Sequence, residues 1–204
     1  WILVGSLLIR ESGRSKVSNR SFVLDPDGRI AARYDKIHLF DVEIKDGQMY
    51  RESATVEPGT KAVIADLPFG KIGLSVCYDL RFPQLYRALA QGGASMLGIP
   101  AAFTHKTGEA HWHVLVRARA IECGAFVFSA TQCGTHAEGR RTYGHSLVVD
   151  PWGEVLADAG DSVGVVTADV DLAKVDKVRR MIASLQHDRP FSGPTIAPAR
   201  DAAE

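Results

Sequence analysis

The stretch KIGLSVCYDLRFPQLYRALAQGGASMLGIP, residues 71–100, carries an apolar run into a cysteine and then straight into a charged turn. KIGLSVCY reads as a strand. PQLYRALAQGG reads as a helix with Pro83 in its first turn and Gly92 past its end, and ASMLGIP reads as the next strand. Strand, helix and strand in that order form the unit of an α/β sheet. Cys77 falls where the strand hands over to the helix, the place at which open α/β sheets present their reacting groups. A cysteine ending an apolar strand is ordinarily an inert small hydrophobe. A nucleophilic one needs a base or cation nearby, and main-chain donors for the oxyanion that its attack creates. The amides of Tyr78 and Asp79 lie at this turn and are the candidate donors.

Outward from this block the alternation continues. WILVGSLLI reads as a buried strand, and NRSFVLDPDGRIAARYDK (19–36) as a hairpin turning at Asp25-Pro26-Asp27-Gly28. Residues 41–60, with Gly47, Pro58, Gly59 and scattered charges, read as one long loop of the kind that carries function. EAHWHVLVRARAIECG (109–124) predicts a helix closed by Gly124. AFVFSATQC and GHSLVVD predict strands, DPWGEVL a second turn, GVVTADVD (164–171) a closing strand, and LAKVDKVRRMIASL a last helix. A Pro-containing tail follows from Arg189.

The 204 residues suit one domain with a sizeable core, and 46% apolar with 24% charged residues is a globular balance. Lys plus Arg and Asp plus Glu number 24 each, so no excess positive field argues for nucleic acid or an anionic membrane surface. No apolar run reaches the roughly 20 residues of a membrane helix. The opening WILVGSLLIRESG lacks the basic start and cleavage site of a signal peptide. Three cysteines with no C-x-x-C pair favour free thiols, hence a reducing, cytoplasmic setting.

Lys36, in RYDKIHLFD, is the candidate cation: among aromatic and aliphatic neighbours it would keep its charge only beside an anion. Most lysines are solvated surface charges. Glu43 and Glu52 follow it, and either could supply that anion. His105, His111 and His113 lack the partners and spacing of a zinc site, so no metal and no cofactor is expected. Arg117, Arg119 and Glu122 suit an ion-pair network along their helix.

The blocks GKIGLSVCYDLRFPQLYRALAQGGASMLGIPAAFT, RYDKIHLFDVE, TGEAHWHVLVRARAIE and ATQCGTHAEGRRTYGHSLVVDPWGEVLADAG resemble, in order, those of the nitrilase (carbon–nitrogen hydrolase) superfamily, and within it the Nit branch. True nitrilases usually carry Trp-Glu after the cysteine, where this chain has Tyr78-Asp79. The resemblance implies a four-layer α-β-β-α sandwich over a single domain, 1–204, with 189–204 as tail. It implies an amidase acting through a thioester on deaminated glutathione or a 2-oxo acid ω-amide, releasing ammonia. The related alternatives are an N-carbamoyl-compound hydrolase or a nitrilase, and the alternative of another class is an inactive binding or assembly module. By motif, Cys77 is the nucleophile, Lys36 the lysine, Glu52 of YRES the second glutamate, with Glu43 the weaker match, and the Tyr78 amide an oxyanion donor. Phe103 and Thr104 are expected in the substrate pocket by position. The family's general-base glutamate and first strand–helix units are expected upstream of Trp1, and the chain alone is expected to be nearly inactive. The expected partners are a small-molecule amide and further copies of the chain, as a homodimer or larger assembly.

Overall fold

The computed structural model describes residues 1–44 and 48–196. Two sheets stack face to face, with helices on the outer face of the larger one. The smaller sheet holds β1 (Ile2–Ile9), β2 (Val17–Leu24) and β3 (Ile30–Asp35) as an antiparallel meander. The hairpin β4 (Asp41–Ile44) and β5 (Gln48–Arg51) stands apart, and β6 (Val56–Glu57) then pairs parallel to the start of β2. The chain next enters the larger sheet through β7 (Ile64–Leu67) and β8 (Gly70–Leu74), followed by α1 (Pro83–Gln91), β9 (Met96–Gly98), α2 (His105–Cys123) and β10 (Phe126–Ser129). A small hairpin, β11 (Cys133–Thr135) and β12 (Arg141–Tyr143), precedes β13 (Leu147–Val149) and β14 (Val155–Asp158), and α3 (Ala173–Met181) closes the series. The larger sheet runs β14-β13-β10-β9-β8-β7, with β8, β9 and β10 parallel.

The central strands are apolar on both faces because both are covered. From β9 and β10, Met96 and Phe126 turn toward Val23 and Tyr34 of the smaller sheet. Their neighbours Leu97 and Val127 turn the other way, onto Leu89, Trp112, Val116 and Ala120 of the helices. Gly73 lets α1 close on β8: a Cβ there would stand 3.0 Å from two side-chain carbons of Leu89. Helix, sheet and sheet are thus three layers of the expected sandwich. Leu7, Leu8 and Ile30 of the smaller sheet are exposed among the described residues.

Several expectations need correction. The first strand forms, but at a sheet edge with no residue fully buried and with Ile2, Leu7 and Leu8 exposed. Residues 41–44 and 48–51 are not loop but two antiparallel strands joined across four residue pairs, with Phe40 and Tyr50 ring centroids 5.1 Å apart. The tip of that segment, with Gly47, lies outside the described residues. The strand ahead of the cysteine ends at Leu74, because Ser75 to Cys77 leave the ladder for a tight turn. The helix expected from 109 begins at His105, one turn earlier, with Thr104 preceding it. GVVTADVD makes no strand: the sheet order ends at β14, and without a neighbouring ladder Val163 and Val165 stay exposed. The stretch 125–133 breaks after Ser129 and resumes as β11 in a separate pair. The turns at Asp25–Gly28 and Asp150–Gly153 form, each closed by a glycine amide donating to the aspartate carbonyl (3.0 and 2.9 Å). Beyond the last helix residues 189–196 carry no helix or strand, and 197–204 lie outside the described residues.

Candidate active site

The turn that carries Cys77 is held by main-chain bonds and by a buried carboxylate. Ser75 N–H donates to the Gly98 carbonyl (3.2 Å) and Cys77 N–H to that of Pro100 (2.9 Å), so the chain tracks the end of β9 after regular pairing stops. Residues 77–81 then wind into a tight 3₁₀ turn, and Cys77 itself takes φ +50°. A left-handed conformation costs a non-glycine residue roughly 1–2 kcal/mol and persists only where its surroundings over-determine it. Here the surroundings are the carboxylate of Asp79, fully buried. One of its oxygens accepts from Val76 N–H (2.8 Å) and Tyr34 hydroxyl (2.7 Å), the other from His38 N–H (3.0 Å) and His38 Nδ1 (2.7 Å). This carboxylate ties the cysteine turn to the segment that carries Lys36. Burial, reinforced by the charge of Asp79, raises the Tyr34 phenol far above its ordinary range, so it serves as a donor.

Lys36 follows directly on β3 and is 3% exposed. Its amide donates to the Asn19 carbonyl (2.8 Å), and its own carbonyl accepts from Gly59 (2.8 Å). Only glycine fits at 59, since a Cβ there would lie 2.1 Å from the Asp35 carbonyl oxygen. The ammonium donates to Glu52 Oε2 at 2.5 Å. Glu52 begins the short turn after β5 and is 17% exposed at its side chain. Its carboxylate also accepts from Phe40 N–H (2.7 Å) and Asn19 Nδ2 (2.9 Å). A buried cation is tolerated when paired and hydrogen-bonded in this way. Glu43, by contrast, is exposed on β4 and does not line the cavity.

Cys77, Lys36 and Glu52 converge on one cavity of about 850 Å³. Cys77 is half-buried. Burial pushes its thiol up, while the Lys36 charge and a hydrogen bond at Ala102 pull the other way without overcoming it. The resting thiol therefore keeps its proton until a base removes it. Of the two amides expected to face an oxyanion, that of Asp79 is occupied by the Val76 carbonyl (3.1 Å). The Tyr78 amide has no acceptor among the described residues. Phe103 and Thr104 lie on the cavity wall. Phe103 is buried against Trp112 at 5.0 Å between ring centroids, and the Thr104 hydroxyl bonds that of Thr107 (2.6 Å).

Residues 1–180 match the family model of the carbon–nitrogen hydrolases. The chain belongs to the carbon–nitrogen hydrolase family. It is 44% identical over 191 residues to the deaminated glutathione amidase of Yersinia enterocolitica, covering 93% of this chain and 67% of that protein. The C. elegans NitFhit protein superposes with TM-score 0.86 at 42% identity, over 92% of this chain and 46% of that one. A glutamate-to-glutamine mutant of the amidase from Nesterenkonia sp. AN1, with the acetamide moiety of fluoroacetamide covalently added at its active-site cysteine, superposes with TM-score 0.75 at 29% identity, over 90% and 63%. The nitrilase-like α/β fold and the assignment as a carbon–nitrogen hydrolase follow. No described helix is long and apolar enough to cross a membrane.

Several features of the site are not legible in the sequence. The sequence points to Asp79 for its amide, whereas its side chain is the clamp. A carboxylate two residues past the cysteine, directly after an apolar strand, is the available signal. The Arg117–Arg119–Glu122 network reduces to Arg119 with Glu122 (2.6 Å), because Arg117 donates instead to the Gly153 carbonyl (2.8 Å). His105, His111 and His113 do not converge. His113 instead joins His145 and Asp158, whose donor atoms lie within 4.8 Å of one another. Asp158 accepts from both rings (2.9 Å each), and these bonds with that of Gly160 hold its carboxyl low although burial alone would raise it. This is the His/Asp set among the described residues with the donor types to hold a metal ion.

Proposed function

We propose that the protein is a cysteine amidase whose nucleophile is Cys77, acting through a thioester on deaminated glutathione or the ω-amide of a 2-oxo acid. The observation that carries this is a half-buried cysteine at φ +50°, opening on the same cavity as a buried lysine–glutamate pair. Neither packing nor folding requires a thiol in a strained backbone state beside a desolvated ammonium.

Because the resting thiol is protonated, proton removal accompanies attack: Sγ bonds to the amide carbon as the proton passes to a carboxylate. Glu52 is the sole carboxylate among the described cavity residues, and its oxygens are engaged by Lys36, Phe40 and Asn19, so its part is to orient Lys36. The resemblance assigns the proton to a further glutamate. The oxyanion meets the Lys36 ammonium and the Tyr78 amide, groups already fixed before the charge develops. Collapse breaks the C–N bond, and the nitrogen takes the proton. It leaves as ammonia from a primary amide, or as the peptide amine from deaminated glutathione. Water then adds to the thioester, giving the acid and restoring the thiol. The cavity is large enough for either substrate, with Phe103 and Thr104 on its wall.

The test is amine release from deaminated glutathione, 2-oxoglutaramate, an N-carbamoyl amino acid and a nitrile by the protein extended upstream over the expected general-base glutamate. Turnover of the first two, abolished in Cys77→Ala, is expected. Undiminished turnover in Cys77→Ala overturns the proposal, and so does turnover confined to the carbamoyl compound or the nitrile.

A further inference from the structure

One cation on the described cavity wall is without an anionic partner among the described residues. The described cations of that wall are Lys36, Arg51 and Arg140, against Glu52 as the one described acid. Lys36 and Glu52 neutralise each other at 2.5 Å. Arg51 faces Asp41 across the β4–β5 hairpin, and the two make no ion pair within 4.0 Å; the Asp41 carboxylate instead accepts from Ser53 N–H (2.9 Å). Arg140 has no ion pair and no side-chain hydrogen bond among the described residues. Its backbone is nonetheless fixed, the amide donating to the Ala137 carbonyl (3.4 Å) and the carbonyl accepting from His136 (2.7 Å). A half-buried guanidinium on a cavity wall, held by its main chain and facing no described anion, has its five donors available for a ligand.

We infer that Arg140, assisted by Arg51, receives a carboxylate of the substrate, and that the cavity selects amides carrying a carboxylate away from the scissile bond over uncharged amides of the same length. The inference rests on the amidase reading and names the specificity element within that site. Guanidinium and carboxylate match two donors to two acceptors in one plane, which an ammonium does not reproduce. Arg51 contributes less because Asp41 shares its field.

The test compares kcat/KM of the same upstream-extended protein for succinamate and for butyramide, which differ in the charge of the distal end. A charge-assisted bond of this kind lost on truncation lowers the succinamate-to-butyramide ratio about 10- to 100-fold in Arg140→Ala. The ratio is intermediate in Arg140→Lys, and the loss is smaller in Arg51→Ala. A second readout needs no turnover: in the Cys77→Ala background, Arg140→Ala weakens calorimetric binding of glutarate by a comparable factor. An unchanged ratio, or unchanged glutarate binding, overturns the inference. Equal losses for both amides overturn it too, since they assign Arg140 a structural role. Failure of the unsubstituted protein to hydrolyse any amide tells against the amidase reading, and the glutarate arm then still decides on Arg140.

Discussion

Replacing Lys36 by Met tests whether the lysine–glutamate pair is held as one unit. Lys36 is 3% and Glu52 17% exposed, and the ammonium lies 2.5 Å from the carboxylate. Removing one member of a buried pair strands the other, at a cost of about 3–5 kcal/mol, while replacing both by neutral groups of similar volume removes the stranded charge. Lys36→Met leaves the Glu52 carboxylate with the Phe40 and Asn19 donors, so its loss lies toward the lower end of that range. Glu52→Gln leaves an ammonium with no anion on the described wall. In a chain of this length each kcal/mol moves the melting temperature by about 2–4 °C, so each single variant should melt roughly 6–20 °C lower. The double variant should lose less than the sum of the singles, by about 1–3 kcal/mol. Urea unfolding of the four proteins measures this cycle. Strict additivity, or single losses under about 1 kcal/mol, would refute the reading of Lys36 and Glu52 as one coupled interior pair.

Two further outcomes follow from particular atoms. Burial pushes the Cys123 thiol up to about 12, so the unfolded chain gives up that proton first as pH rises; stability is intact below pH 9 and falls between 9 and 12. Urea titrations at about pH 7.5 and about pH 10 should differ by roughly 1–2 kcal/mol more in the parent than in Cys123→Ala, and equal differences would contradict it. Gly59→Ala drives a Cβ to 2.1 Å from the Asp35 carbonyl, at the residue preceding Lys36. It should cost about 1–3 kcal/mol and slow turnover together, and a variant with parental stability would count against the close approach.

Much of this is legible in residues 71–100 because local signals and tertiary outcome agree there. Pro83 and Gly92 bound α1, and the apolar runs on either side are the parallel strands β8 and β9. Elsewhere the deciding partner is distant in sequence. WILVGSLLI and GVVTADVD have similar apolar patterns, yet only the first finds a ladder, and it finds it at the edge of a sheet. Residues 41–44 and 48–51 resemble loop in sequence because each strand is only four residues long and carries charges among its apolar positions. At the site, Cys77, Lys36 and Glu52 can be nominated by residue type and motif. The Asp79 clamp reaches back 45 residues to Tyr34, and the balance of burial against one shared ammonium that sets the Cys77 thiol exists only in three dimensions.

In the proposed reaction the Cys77 sulfur becomes covalently bonded to the acyl half of the substrate. Acid quenching during turnover of an amide, followed by proteolysis and mass spectrometry, reads this directly. The peptide carrying Cys77 should gain the mass of the acyl group, with the peptides of Cys123 and Cys133 unchanged. Product accumulating while Cys77 stays unmodified, or an acyl group found on Cys133, would contradict the account.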